Sequence, residues 1–169
     1  MLLSVELMAG KDTMCPCPAS NGMKLTQATK ILRKQHDGLL KYIEKISVFF
    51  DVEKLKKETG QLRILLSQFT KLLNWHLNLE GEILYPNLFK HENSELRSIA
   101  KTYSVEIDGL KKAFAEYNKK WANEDSIENN SDEFIEESRT MFDALSVRNQ
   151  KENNELFPII ESLESTDNL

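Results

Sequence analysis

The sequence predicts an all-α protein, folded as an antiparallel up-down-up-down four-helix bundle. Three observations lead there. Breakers are rare: 169 residues contain six glycines and four prolines, and Pro16, Pro18 and Pro86 all fall before the midpoint or close to it, which leaves long uninterrupted runs. Apolar residues recur at alternating steps of three and four through four of those runs. The segments between runs are short and polar, and short connections make consecutive helices antiparallel neighbours. The length suits one domain with a full core.

Residues 1–24 mix Gly, Pro, Cys, Ser and Met without periodicity and read as a loose N-terminal extension. The bundle is expected over 25–165. Its first helix runs from about Thr26, a plausible N-cap, to Phe50. Ile31, Leu32, Gln35, Leu39, Tyr42, Ile43, Ile46, Phe49 and Phe50 line one face. The second runs from about Val52 to Phe89 with an interruption near Gly60. Its inward face carries Leu62, Leu65, Leu66, Phe69, Leu72, Leu73, His76, Glu80, Ile83 and Leu84. The third, from about Ser94 to Ala122, presents Leu96, Ile99, Tyr103, Ile107, Leu110, Phe114, Tyr117 and Trp121. A polar, acidic surface turn is expected over Asn123–Asn130. The fourth helix, from about Ser131 to Leu163, turns Phe134, Ile135, Met141, Phe142, Leu145, Arg148, Glu152, Leu156, Ile159 and Ile160 inward.

Composition narrows the function classes. Hydrophobic residues make up 40% and charged residues 29%, with a formal net charge of −5. No basic stripe interleaves with aromatics, so nucleic-acid binding is not expected. No apolar run reaches bilayer length, and Met1–Ala9 lacks a basic leader and contains Glu6, a poor signal-peptide pattern. A cytoplasmic protein is expected, and Met23 is an alternative start. Cys15 and Cys17 stand too close for an unstrained disulfide and are too few for a structural zinc site. They are read as reduced and structurally idle.

The informative residues are polar ones on apolar faces. His76 and Glu80 stand four apart, followed by Leu84-Tyr85-Pro86. Arg148 and Glu152 stand four apart, followed by Leu156-Phe157-Pro158. Residues four apart share a helix face, so each pair can reach one point in the core. The repeat implies an approximate two-fold relation between the second and fourth helices, with each proline bending its helix. His36, a third of the way along the first helix, falls at a height that can face His76. Two imidazoles and two carboxylates at one level of a core are costly without a common partner. Among the remaining residues, His91 and Glu82 read as solvated, and Trp75 and Trp121 as core or boundary residues.

Leu32-Arg33-Lys34-Gln35-His36-Asp37, His76 to Glu80 with Leu84-Tyr85-Pro86, and Glu152 with Leu156-Phe157-Pro158 together resemble the hemerythrin and bacterial HHE cation-binding domain. The resemblance covers residues 24 to 163. It implies a four-helix bundle around a non-haem di-iron centre, bridged by two carboxylates and capped by histidines. It also implies a role in binding dioxygen, sensing oxygen or redox state, handling iron, or responding to nitric oxide. On this resemblance His36 and His76 match the histidines of one iron, and Glu80 and Glu152 match the bridging carboxylates. The second iron's positions correspond to Tyr103, Ile107 and Arg148. Tyrosine can ligate as a phenolate, whereas Ile107 and Arg148 cannot ligate.

One metal ion is therefore expected rather than two, held by His36, His76, Glu80 and Glu152. Iron is the first choice, and Mn or Zn suits the same mixed nitrogen and oxygen donors. Arg148 is expected to occupy the missing metal's space and to neutralise Glu152, with Tyr103 donating to the same cluster. Nothing in the sequence marks a substrate pocket, so a binding or sensing protein is expected rather than an enzyme. The alternative from another class is a metal-free scaffold or interaction module with a polar core around Arg148.

Overall fold

The computed structural model describes residues 23–166, and all of its regular structure is helical among them. In chain order the elements are α1 (Leu25–Ser47), α2 (Val52–Lys57), α3 (Thr59–Leu79), a π-helical turn (Glu80–Leu84), α4 (Tyr85–Phe89), α5 (Ser94–Lys120), α6 (Glu124–Asn129), α7 (Ser131–Lys151), a second π-helical turn (Glu152–Leu156) and α8 (Phe157–Thr166). The cysteines and most of the expected extension lie outside the described residues. Met23, assigned to that extension, packs against the core.

The long helices α1, α3, α5 and α7 lie within the expected helical runs, with differences at their ends that have local causes. The N-cap of α1 is Lys24 rather than Thr26. Its backbone N–H donates to Gln27 Oε1. The first rod stops at Ser47, not Phe50, because Asp51 starts a new helix by accepting from the Lys54 N–H at 2.9 Å. The break in the second rod falls at Glu58, just ahead of Gly60. The expected turn over 123–130 holds a helix, α6, whose Ile127 is fully buried. Asn123 caps it by accepting from the Ser126 N–H.

These boundaries expose a repeat. The spans 52–57, 59–79 and 80–84 recur at one constant offset as 124–129, 131–151 and 152–156. The caps recur as well, Asp51 before α2 and Asn123 before α6. Leu55 and Ile127, Leu62 and Phe134, and Leu73 and Leu145 are buried at matching places. The fold uses one helical unit twice.

Neighbouring rods meet in opposite numerical order. Along α1, Thr29, Arg33 and His36 meet Glu161, Asn153 and Glu152 in turn, and Phe50 stacks on Phe142. Between α3 and α5 the pairs are Arg63 with Trp121, Thr70 with Asn118, and Phe69 with Phe114. Phe69, Phe114, Tyr117, Trp121, Phe134 and Phe142 form a connected aromatic cluster with edge-to-face and stacked contacts. Trp121 is 1% exposed, whereas Trp75, read as a core or boundary residue, is 48% exposed.

The prolines do not simply bend their helices. In a regular α-helix the Pro86 ring would strike the carbonyl four residues back. The chain widens by one residue instead, and the Tyr85 N–H reaches the Glu80 carbonyl five residues back. The Phe157 N–H makes the same bond to Glu152 ahead of Pro158. Each widened turn opens on a buried glutamate, and such single π turns recur at functional sites.

Phe69 is 1% exposed and packs edge-on against Phe114 and Phe142. Phe69→Ala is expected to lower the unfolding free energy by about 3–5 kcal/mol, read by urea denaturation. A loss under ~1 kcal/mol would show that the cluster closes over the gap.

Candidate metal centre

Four elements each deliver a polar side chain to one height of the core. His36 comes from α1, His76 from the end of α3, Glu80 from the first π turn and Glu152 from the second. All four are buried, with exposures of 1%, 2%, 0% and 0%. One ligand atom from each lies within 4.8 Å of the others, and the group could hold a metal ion. His36 Nε2 is 3.2 Å from Glu152 Oε2, and His76 Nε2 is 3.3 Å from Glu80 Oε1. The two imidazoles meet edge-to-face with centroids 4.7 Å apart.

Both rings are oriented from behind. His36 Nδ1 lies 2.9 Å from Asn153 Oδ1, and His76 Nδ1 lies 3.1 Å from Gln35 Oε1. An amide oxygen only accepts, so each Nδ1 carries a proton, and neutral His76 turns the lone pair of its Nε2 inward. Phe157 stacks on His36 at 5.7 Å, and the Arg33 guanidinium lies over the Phe157 ring. The sequence placed Gln35 inward without assigning it a task, and Asn153 escaped notice. A carboxamide one position before His36 and another one after Glu152 were the only available signals.

The inward atoms are left without protein partners. His36 Nε2, both oxygens of Glu80 and Glu152 Oε2 are buried and make no aligned hydrogen bond, despite the short separations. Burial, followed by the nearby His36, pushes the His76 pKa down to about 3. His76 is thus neutral at pH 7, and its contact with Glu80 is not an ion pair. Burial and the facing Glu152 raise the Glu80 pKa well above the usual carboxylate range. Burial works against ionising Glu152 too, but the contacts with His36 and Arg148 outweigh it and hold its pKa below the usual value. Imidazole nitrogens and carboxylate oxygens at one buried point are the donor set of a first-row divalent metal. The residues fit a bound metal cation.

The family model of the hemerythrin HHE cation binding domain matches residues 27–160. The chain belongs to the hemerythrin HHE cation-binding family. No curated protein and no solved structure matches it.

The positions matched to a second metal carry none of the family's histidines. Ile107 is 2% exposed and apolar. Arg148 is 8% exposed and places Nη2 2.6 Å from Glu152 Oε1, four residues on. The same Nη2 donates to Tyr85 Oη at 2.8 Å, while Nη1 reaches Glu106 at 3.4 Å. Burial disfavours the charged guanidinium, but Glu152 and the neighbouring Tyr85, Glu80 and Glu106 outweigh it and raise the Arg148 pKa. Tyr103 does not donate to the cluster as expected. Its hydroxyl donates to Glu155, and its ring lies under Arg148 and Lys151. The phenol at the cluster is Tyr85, which sequence reading treated only as part of a motif. Its hydroxyl lies 3.5 Å from Glu152 Oε1.

Removing the guanidinium strands Glu152 in the core. Arg148→Ala is expected to lower stability by about 3–5 kcal/mol, as loss of one partner of a buried pair does. Arg148→Lys should recover part of this, since an ammonium lacks the fork that reaches Glu152 and Glu106 together. Thermal unfolding of both variants is the check, and a neutral Arg148→Ala would contradict the pairing.

Proposed function

We propose that this protein binds one non-haem iron ion within an up-down-up-down bundle and serves as a binding or sensing protein. The opposed numerical order of contacts along each pair of neighbouring rods supports that topology. His36 and His76 would supply Nε2 donors, and Glu80 and Glu152 would supply carboxylate oxygens. The observation that carries this reading is the convergence of the four buried residues, with His36 Nε2, both Glu80 oxygens and Glu152 Oε2 left without hydrogen-bond partners. A metal-free core would leave these atoms unpaired at several kcal/mol each by the usual order of magnitude.

Iron suits two imidazoles with two carboxylates, and Mn or Zn can use the same donors. When bound, Fe(II) supplies a coordination position for a diatomic ligand, dioxygen or nitric oxide. The chain's own residues fix the donors: Gln35 and Asn153 set the ring tautomers, Arg148 and Tyr85 hold the outer oxygen of Glu152, and Phe157 braces His36. Among the described residues no helix is long and apolar enough to cross a membrane.

A second reading is a metal-free scaffold. The network of Arg148 with Glu152, Tyr85 and Glu106 favours it, because the guanidinium already neutralises one of the two carboxylates without an ion. Metal content separates the two. After anaerobic reconstitution with Fe(II) and desalting, wild type should retain one ion per chain and His76→Ala none. Metal absent from both proteins would select the scaffold. Gln35→Leu tests the orienting bond and should weaken metal affinity about 10–100-fold, measured by chelator competition.

A further inference from the structure

The repeat extends from the helix boundaries to the polar side chains. His76, Glu80 and Tyr85 recur at the offset of the helices as Arg148, Glu152 and Phe157. Gln35 and His36 recur at a slightly shorter offset as Glu106 and Ile107. The contacts recur with them. Gln35 Oε1 holds His76 Nδ1 at 3.1 Å, and Glu106 Oε2 holds Arg148 Nη1 at 3.4 Å. His76 Nε2 faces Glu80 at 3.3 Å, and Arg148 Nη2 faces Glu152 at 2.6 Å. Asn153, which orients His36, has its counterpart in Gly81 of the first unit. No imidazole needs orienting there, because Ile107 stands where the repeat puts His36.

The exchanges are matched in charge. Gln35 with neutral His76 carries no net charge, and neither does Glu106 with Arg148. Within the second pair the cation points inward at Glu152, and the acid sits toward solvent with its side chain 43% exposed. Tyr103, at the shorter offset, corresponds to the core residue Leu32 and not to a ligand. An unrelated core ion pair would have no reason to reproduce the holder, the held group and the carboxylate at matching places.

We propose that Gly81, Glu106, Ile107 and Arg148 form a silenced second half-site, in which the Arg148 guanidinium is the resident cation. Four substitutions that copy the histidine half onto it restore binding of a second metal ion. The proposal rests on the single-ion reading of the first half only for its baseline. Glu80 and Glu152 each keep an oxygen for the restored site once the guanidinium is gone. The substitution at Gly81 is feasible, because a Cβ there would meet only Lys111 Nζ at 2.9 Å, the mobile end of a long side chain.

The test uses Co(II), whose visible absorption reports the ligand set, with elemental analysis for stoichiometry. Wild type is compared with Gly81→Asn/Glu106→Gln/Ile107→His/Arg148→His, both as the full chain. The quadruple variant should hold one ion more than wild type and show added Co(II) absorption. A folded variant with wild-type stoichiometry overturns the proposal. If wild type binds no ion and the variant binds one, the half-site stands and the single-ion reading falls. The reciprocal variant Gln35→Glu/His36→Ile/His76→Arg covers failure of the first to fold. It should keep wild-type helicity by circular dichroism and lose all metal. Its unfolding would show that the halves are not interchangeable and would also overturn the proposal.

Discussion

Two carboxylates facing each other out of water are the constraint on which this core is organised. Glu80 and Glu152 are both fully buried, and an ionised carboxylate in that setting costs several kcal/mol unless something neutralises it. The protein treats them differently. Glu152 has a guanidinium at 2.6 Å and stays ionised. Glu80 has no hydrogen-bond partner for either oxygen, and burial together with the facing Glu152 raises its pKa well above the usual carboxylate range. The remaining polar groups follow from this asymmetry. The neutral histidine His76 stands on the side of Glu80, Arg148 on the side of Glu152, and amides behind the rings decide which nitrogen turns inward.

The backbone shares in the arrangement. Each glutamate begins a widened helical turn that ends just before a proline. The five-residue hydrogen bond lets the helix continue past a ring it could not otherwise accommodate. The aromatic cluster of Phe69, Phe114, Tyr117, Trp121, Phe134 and Phe142 lies next to the polar level along the rods and fixes their spacing. Because α6, α7 and the second π turn repeat α2, α3 and the first, a single local solution serves both carboxylates. Within these repeated units the difference lies in the side chains.

Much of this was readable along the chain. The long rods follow from apolar residues at helical spacing, and those residues form the core. The four converging polar residues were legible because two histidines and two glutamates on apolar faces at one height are costly without a common partner. Legibility failed where meaning depended on direction. Tyr103 and Tyr85 both lie on inward faces, yet one hydroxyl reaches the surface residue Glu155 and the other points into the core beside Arg148. Helix α6 was read as a turn because its six residues are mostly polar and acidic, and only Ile127 anchors it.

Sequence alone determined the helical class, the family and the four residues that meet in the core. The class rests on periodicity, and the family and the four residues rest on short motifs that resemble those of a known family; such patterns are local. Tertiary structure alone decided the partners across helices. Gln35 proved to orient His76, Asn153 to orient His36, and Glu106 to hold Arg148. These pairs are 41, 117 and 42 residues apart. No local rule fixes which side chains meet over such separations, because rod packing sets the relative height and rotation of each helix.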